Sequence, residues 1–339
     1  MDGGHVRIAV IGAGRMGAIR TEDLCSDPRV DEVLVANRSE RRARELAERL
    51  GARHLPWADV AAADVDATVV AIATDAHGEA LSAVLDRGRP VLCEKPIAAT
   101  LEETESVIER AAANGAVLQI GFQRRFDPGI RAMHSLIAAG DLGTLYSLSL
   151  LSHDIAPSGR EFIGGSGGIF RDLHVHDFDL IRWLTGEEVA QVHATKAVRA
   201  HHDYADFDDA DVATVLALTT GGVQVVVRGA RHDARGHDVR VEAHGSLDSV
   251  TAGLTSRTPI RPLDGSIDID IDTYAGFVDR FREAFRLETR AFVDVVAEHA
   301  PNPCPPDSAL ESLRIAIACE ESVRLGVPVS VRDVQSSAP

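Results

Sequence analysis

Lys95 lies on a short turn whose residue types suggest chemistry. An apolar, strand-like run at 90–93 leads into Glu94-Lys95-Pro96, about eighty residues after the glycine turn Gly12-x-Gly14-x-x-Gly17. A lysine at the carboxyl end of a strand in a parallel sheet points toward the crevice in which such sheets bind their ligands. The proline fixes the backbone and removes one amide donor, so the turn is stiff. We therefore expect Lys95 to act on a reacting group beside a bound dinucleotide.

A second group of chemically capable residues lies in the segment 172–177, which reads Asp-Leu-His-Val-His-Asp. If this segment is one helix, Asp172 and His176 are four residues apart and share a face. A histidine beside a carboxylate is the usual general base for removing a hydroxyl proton while hydride leaves the same carbon. Lys95, if it lies near, would stabilise the developing alkoxide charge. The pattern predicts a dehydrogenase site with Asp172 orienting His176 or a substrate hydroxyl.

Two other interpretations of this segment stay open. His174, His176 and Asp179 could bind zinc, but no Glu-x-x-His or cysteine partner is present at ligand spacing, so we expect no metal. Alternatively, His174 and His176 are packed polar residues without a chemical role, which is the favoured interpretation for His174 but not for His176.

The glycine turn has the form that binds a pyrophosphate. Gly12 allows the tight turn, Gly14 lets the backbone approach the phosphates, and Gly17 lets the helix pack on the strand. The turn follows an apolar run at 6–11 and opens a helix-like stretch, which makes this short motif specific. The helix amides would face the phosphates, so Arg15 and Met16 join the three glycines as predicted cofactor-binding residues.

The residues about twenty positions after Gly17 indicate which dinucleotide binds. An acid that bonds the adenosine ribose is usual there, but this chain has Asn37-Arg38-Ser39. Asparagine can bond a hydroxyl without repelling a phosphate, and Arg38 with Ser39 could hold a 2′-phosphate. The pattern favours NADP over NAD. The alternative is that Arg38 only solvates the start of a helix.

Composition limits the classes of protein to which this chain can belong. Its 339 residues favour two domains, and the formal net charge of −17 makes nucleic acid and anionic membranes unlikely partners. No apolar run is long enough for a membrane span, and the N-terminus lacks a secretory signal pattern. The four cysteines lack framework or metal spacing, so we expect reduced thiols in a cytoplasmic protein.

The order of predicted elements gives the fold class. Apolar strands alternate with helices over residues 1–122, which predicts an α/β Rossmann domain with a doubly wound parallel sheet. Consecutive strands over 123–334 predict an α+β domain on an open, mostly antiparallel sheet. Its C-terminal helix is a candidate for packing back on the first domain, and 335–339 should be a frayed tail. The alternating run at 267–272 favours an exposed-face strand over a calcium site.

The motifs together resemble the Gfo/Idh/MocA oxidoreductases over nearly the whole chain. This resemblance implies a Rossmann domain followed by an open-sheet domain, nicotinamide-dependent oxidation of a sugar or cyclitol hydroxyl, and a homo-oligomer, often a homotetramer. Besides the glycine turn, it is carried by the segments at 73–77, 94–96, 121–127, 167–172, 176–179 and 183–184.

The resemblance also assigns roles to individual residues. Lys95, Asp172 and His176 match the family's catalytic trio, and Arg125 matches a substrate contact. Within the family, Ser-Gly-Gly-Ile-Phe-Arg-Asp followed by His-Asp-Phe-Asp is similar to a bacterial group of inositol 2-dehydrogenases. The resemblance further implies a nicotinamide-side wall at Thr74 and His77, Glu94 near the cofactor, and His153 and Asp154 in a polyol pocket.

The sequence leaves the substrate open. Asn37 and the segment at 155–160 depart from the inositol group's pattern, so the same chemistry on an aldose or an amino- or keto-sugar stays possible. A non-catalytic NADP sensor is a third interpretation, disfavoured because it would not need Lys95, Asp172 and His176 together. The glycine run at 164–168 is interpreted as a tight turn rather than a mobile gate.

Overall fold

The structure, a computed structural model, describes residues 6–261, 263 and 272–334. The predicted strand at 267–272, except for Asp272, and the predicted tail at 335–339 lie outside these residues. The described chain divides into two compact units. One contains residues up to Gln123 together with Glu283–Leu310, and the other contains Arg124–Arg282 together with the chain from Glu311.

The first unit is built on a six-stranded sheet in which every described strand pair is parallel. The strand order is β3-β2-β1-β4-β5-β6, which is doubly wound as predicted. Its strands are β1 (Val6–Ile11), β2 (Val30–Ala36), β3 (Arg53–His54), β4 (Ala67–Val70), β5 (Val91–Glu94) and β6 (Leu118–Gly121). The helices that follow β1, β2, β4 and β5 are α1 (Arg15–Cys25), α2 (Glu40–Leu50), α3 (His77–Leu85) and α4 (Leu101–Ala113).

Local sequence explains where these elements begin and end. The strands are nearly all apolar because both faces of the sheet are covered. Thr100 caps α4, as predicted, by accepting a hydrogen bond of 3.2 Å from the Glu103 amide. Gly51 ends α2 with a φ of 72°. A later helix, α9 (Phe277–Glu298), contributes Phe292 to the core of this unit.

The second unit combines helices with an open sheet of seven described strands. Its order is β12-β11-β7-β10-β9-β8-β13, and every described pair except β7–β10 is antiparallel. The strands are β7 (Leu145–His153), β8 (Val189–Ala197), β9 (Val212–Thr219), β10 (Gln224–Ala230), β11 (Asp238–Gly245), β12 (Ser249–Ala252) and β13 (Val329–Ser330). Its helices are α5 (Pro128–Ala139), α6 (Arg160–Gly165), α7 (Ile169–Asp172) and α8 (Val175–Thr185), and α10 (Asp307–Leu325) begins in the first unit.

One sheet prediction is confirmed, and the condition that residues 172–176 form one helix is not met. The open, mostly antiparallel sheet is present, with α8 against β7 and α5 against β12. The segment from Asp172 to His176 is not one helix, because α7 ends at Asp172 and α8 begins at Val175. Asp172 and His176 therefore reach their positions from two helices rather than from one face. Among the described residues, no helix is long and apolar enough to cross a membrane.

Candidate active site

The glycine turn in the first unit requires glycine at two of its three positions. Gly12 has a φ of 131°, and a Cβ on it would overlap the carbonyl oxygen of Ala71. A Cβ on Gly17 would overlap the carbonyl of Gly12, so this glycine lets α1 lie close to the turn. Gly14 instead faces open space, since nothing lies within 4 Å of the Cβ it lacks. The turn is therefore tight on its protein side and open on its outer side.

The first turn of α1 fits an anionic group. Gly14 caps the helix without a side chain, and the first intrahelical bond runs from the Ala18 amide to Gly14 O. The amides of Arg15, Met16 and Gly17 precede this bond, so they have no intrahelical acceptor. The first turn contains no acidic residue that would compete with an anion. These features fit the pyrophosphate of a dinucleotide over Gly14.

Asn37 ties the end of β2 to the glycine turn. Its Oδ1 accepts a bond of 3.3 Å from the Ala13 amide, and its Nδ2 donates at 3.3 Å to Ser39 O. Arg38 is exposed, pairs with Glu79 in the first turn of α3, and lies 5.7 Å from the centre of the Trp57 ring. Arg38 therefore has a carboxylate partner that the sequence analysis did not identify.

Glu94 is held by a buried arginine. Its Oε1 accepts bonds of 2.9 and 2.7 Å from Arg20, a fully buried residue of α1. Arg20 also pairs with the buried Glu288 of α9 and donates at 3.0 Å to Thr289. A Cβ on Gly121 would lie 2.8 Å from Glu94 Oε2, so glycine leaves room for the carboxylate. This network fixes the residue that precedes Lys95.

His77 holds the turn that carries Lys95 from the other side. It is buried, with Nδ1 at 2.8 Å from Pro96 O and Nε2 at 3.1 Å from Ile72 O. The Lys95–Pro96 peptide is cis, and Lys95 is half-buried. Thr74 begins a short 3-10 turn immediately before α3. His77 thus connects the ends of β4 and β5, and the predicted cofactor contacts of Thr74, His77 and Glu94 stay predictions.

In the second unit, Asp172 is paired with a buried arginine. Its Oδ2 accepts a bond of 2.7 Å from Nη1 of Arg231, which follows β10. The same guanidinium lies 3.8 Å from Asp154 Oδ2 and 3.9 Å from Asp209 Oδ2. Burial opposes the charge of Arg231, but the three carboxylates outweigh it and raise the pKa of this arginine. Arg231 therefore brings together two of the predicted site residues, Asp154 and Asp172.

The short helix α7 is also fixed at its start. Gly168 has a φ of 89°, and the Ile169 amide donates at 2.8 Å to Oδ1 of Asp209. Gly167 also has a positive φ, of 77°. The chain therefore turns between α6, which ends at Gly165, and α7, which begins at Ile169. Because Asp209 also lies beside Arg231, the start and the end of α7 are fixed by one group of charges.

His176 and His174 differ in their surroundings. His176 is half-buried in the first turn of α8. His174 is fully buried, with Nδ1 at 2.9 Å from Asp177, and Gly229 leaves the space that its ring fills. Burial would raise the pKa of Asp177, but Arg124 and the bonds from His174 and Ser152 lower it overall. His174 is thus the packed polar residue that was predicted.

Arg125 and Asp179 form a buried pair. Two bonds, of 2.8 and 2.6 Å, join the guanidinium to the carboxylate, and the guanidinium lies 5.8 Å from the centre of the Trp183 ring. This two-bond geometry is typical of a structural ion pair. It engages Asp179, which weakens the zinc interpretation with His174 and His176. The predicted substrate contact of Arg125 stays a prediction.

His153 and Asp154 lie at the end of β7 among further polar residues. His153 Nδ1 is 3.1 Å from Asp233, and His237 Nδ1 is 3.6 Å from Asp154. Burial, followed by Arg124, Arg280 and His153, lowers the pKa of His237 to about 3, so its ring is neutral at pH 7. Within the described residues, His153, Asp233 and Asp238 form the group whose ligand atoms lie within 4.8 Å of one another. Asp238 is already bonded twice by Arg240, at 3.0 Å each.

Comparison with known proteins identifies the family. The profile described as "Oxidoreductase family, NAD-binding Rossmann fold" matches residues 6–122, and that described as "GFO/IDH/MocA C-terminal domain" matches 130–251. The chain belongs to the Gfo/Idh/MocA family of oxidoreductases, as the sequence motifs predicted. It is an inositol dehydrogenase-like oxidoreductase with an NAD-binding Rossmann fold, and it acts on CH–OH groups.

The similar proteins include several inositol dehydrogenases. Myo-inositol dehydrogenase Hyg17 of Streptomyces leeuwenhoekii is 35% identical, with 95% of this chain and 99% of the relative covered. The crystal structure of a myo-inositol dehydrogenase from Corynebacterium glutamicum has a TM-score of 0.87 at 30% identity, covering 96% of this chain and 98% of that chain. GenD2 from gentamicin A biosynthesis, in complex with NAD, has a TM-score of 0.83 at 27% identity, with 96% of each chain covered.

Proposed function

We propose that this protein oxidises a ring hydroxyl of a cyclic polyol, most directly an inositol, to a ketone with a nicotinamide dinucleotide. The observation that carries the proposal is the Asp154–Arg231–Asp172 group, which fixes two carboxylates with a half-buried histidine, His176, four residues after one of them. Fixed carboxylates suit the paired hydroxyls of a polyol ring. Inositol dehydrogenases among the similar proteins support the same substrate class.

Each residue has a defined part in the proposed reaction. A bound nicotinamide supplies a hydride acceptor. His176 takes the proton of the reacting hydroxyl as general base. Lys95 stabilises the negative charge that develops on that oxygen as the carbon loses hydride. Asp172, held by Arg231, orients the histidine or a neighbouring hydroxyl. The CH–OH group loses one proton and one hydride in this reaction and becomes a ketone.

The proposed dinucleotide is NADP or NAD, and the residues after β2 support NADP. Asn37 brings no negative charge to the ribose position, and Arg38 beside it has an exposed guanidinium, a group that suits a phosphate. An arginine near this position is the usual partner of a 2′-phosphate. The ion pair between Arg38 and Glu79 would have to open for this contact.

Replacing Arg38 tests this choice of cofactor. Arg38→Ala should weaken NADP binding by about 10- to 100-fold, since a charge-assisted bond to phosphate is lost. NAD binding should change by less than about threefold, because NAD has no group for Arg38 to hold. Dissociation constants from calorimetry measure both. An equal loss for the two dinucleotides would show that the 2′-phosphate is not held at Arg38.

The substrate class is tested with purified protein, both oxidised cofactors and a panel of polyols. The absorbance of reduced nicotinamide should rise with myo-inositol or scyllo-inositol and stay flat with glucose. Reduction of the cofactor with amino- or keto-sugars alone would favour the second candidate, a biosynthetic sugar dehydrogenase. The similarity to GenD2, from gentamicin A biosynthesis, supports this candidate. Cofactor binding with no reduction across a broad panel would favour the sensor interpretation.

We further propose that the chain forms a homo-oligomer, a dimer or a tetramer, through the open face of the second sheet. Strand β9 alternates between buried and exposed side chains, and Leu216 and Leu218 are 54% and 41% exposed. Leu216 pairs with Val226 of β10 and His193 of β8 on the same face. Exposed leucines in the middle of a sheet are a usual feature of a self-association site.

Leu216→Arg should therefore dissociate the protein to monomers, because the buried charge would have no partner in a symmetric interface. Light scattering coupled to gel filtration gives the mass. Leu247→Arg is the matched control, since Leu247 is 76% exposed in the turn between β11 and β12. A monomeric wild type, or an unchanged mass in Leu216→Arg, would contradict the proposed interface. The four cysteines form no disulfide and three of them are buried, which supports a cytoplasmic protein.

A further inference from the structure

The ion pair between Arg38 and Glu79 joins segments that follow the two strands on either side of β1. Strands β2, β1 and β4 are neighbours in the sheet. Arg38 follows β2, the glycine turn follows β1, and Glu79 lies on α3 after β4. The carboxyl ends of parallel strands meet at one edge, and the two outer strands of three are about 10 Å apart. The pair therefore reaches across the edge that carries the glycine turn.

Arg38 is held in this position by weak, exposed contacts. Its side chain is 58% exposed, that of Glu79 is 62% exposed, and the Trp57 ring lies 5.7 Å from the guanidinium. Exposed ion pairs of this kind contribute little stability. A ligand that brings more negative charge than a carboxylate can therefore displace Glu79 from Arg38.

Glu79 is the acid that the described structure pairs with Arg38. Glu40, close to it in sequence, is instead bonded to His54 at 2.6 Å and to the Trp57 amide at 3.0 Å. A 2′-phosphate carries close to two negative charges at neutral pH. Bound at Arg38, it would compete with the Glu79 carboxylate for one guanidinium and would be repelled by that carboxylate.

We propose that Glu79 is a specificity-determining residue of the dinucleotide site, which pairs with Arg38 and weakens the binding of 2′-phosphorylated dinucleotides relative to NAD. The proposal rests on the assignment of Arg38 to the 2′-phosphate in the proposed function. NAD leaves the ion pair intact, whereas NADP binds only after Arg38 has left Glu79. The pair thus sets how far the site discriminates against NADP.

Glu79→Gln tests the proposal, because glutamine keeps the size of the side chain and removes its charge. Calorimetry with NADP, NAD, 2′,5′-ADP and 5′-AMP should show the two 2′-phosphorylated ligands binding about 5- to 10-fold more tightly. The other two ligands should change by less than about twofold. The gain should shrink in about 1 M salt, where the screening length is near 3 Å.

Two further variants make the result specific. Glu45→Gln removes a similar exposed charge that pairs with Arg41 on α2 at 2.5 Å, and it should leave all four affinities within about twofold. In the double variant Arg38→Ala, Glu79→Gln, the tighter binding of the 2′-phosphorylated ligands should be lost. Weaker NAD binding in Glu79→Gln would overturn the proposal, because Glu79 would then bond the ribose itself. Equal changes in affinity for all four ligands would also overturn the proposal. So would tighter binding of the 2′-phosphorylated ligands in a variant that lacks Arg38.

These measurements need no substrate, so they stand apart from the proposed catalysis. If Arg38→Ala alone leaves NADP binding unchanged, the assignment of Arg38 in the proposed function fails, and the role of Glu79 fails with it. If Arg38→Ala weakens NADP as expected but Glu79→Gln has no effect, only the role of Glu79 is overturned.

Discussion

Lys95→Met should lower the turnover number by about 10²- to 10³-fold while dinucleotide binding stays within about threefold of wild type. Removing one preorganised group that stabilises an oxyanion typically has an effect of this size. Methionine keeps the length of the side chain, so the turn fixed by His77 and Glu94 should persist. Steady-state kinetics with an inositol, and calorimetry with the dinucleotide, separate the two effects.

The chain offers a matched control for this change. It contains two lysines, Lys95 and Lys196. Lys196 lies on β8 and contacts Asp208, away from the predicted site residues in sequence. Lys196→Met should therefore keep the wild-type turnover number within about twofold. Near-normal turnover in Lys95→Met would remove the lysine from the proposed mechanism.

His176→Asn should lower kcat/KM by about 10²- to 10⁴-fold and change the shape of its pH profile. In the wild type, kcat/KM should fall by about tenfold per pH unit at acid pH, because a protonated imidazole cannot accept the hydroxyl proton. In the variant, this acid limb should disappear, and the residual rate should rise with pH as hydroxide becomes available. Initial rates measured across the pH range give both profiles.

A histidine outside the proposed site controls for general effects. His244 on β11 is exposed and bonds Ser249 at 3.2 Å, so His244→Asn should keep the wild-type profile. If His176→Asn kept the acid limb of the wild type, another group would be the general base. A loss of rate without a change of profile would give His176 a role in positioning only.

The sequence predicted the first unit well because its signals are local. Buried parallel strands are short apolar runs, the glycine turn joins β1 to α1, and Thr100 caps α4. The second sheet was also predicted from its β-like runs, although the short strands β12 and β13 were not identified.

The partners of the site residues could not be predicted, because they lie far away in sequence. Arg20 is 74 residues from Glu94, Arg231 is 59 from Asp172, and Glu79 is 41 from Arg38. No local pattern marks such pairs. The cap at the start of α7 could not be predicted for the same reason, since the Ile169 amide bonds Asp209, 40 residues away. A buried charge needs a partner, but the sequence does not say which one.

The central claim is that hydride passes from a ring carbon of a polyol to the nicotinamide. The most direct test is a single-turnover reaction of the protein with NAD and, separately, NADP, using myo-inositol and scyllo-inositol that carry deuterium on every ring carbon. Mass spectrometry should find deuterium in the reduced dinucleotide and a ketone in the polyol. Reduced dinucleotide without deuterium, or no reduction with either inositol although the dinucleotide binds, would contradict it.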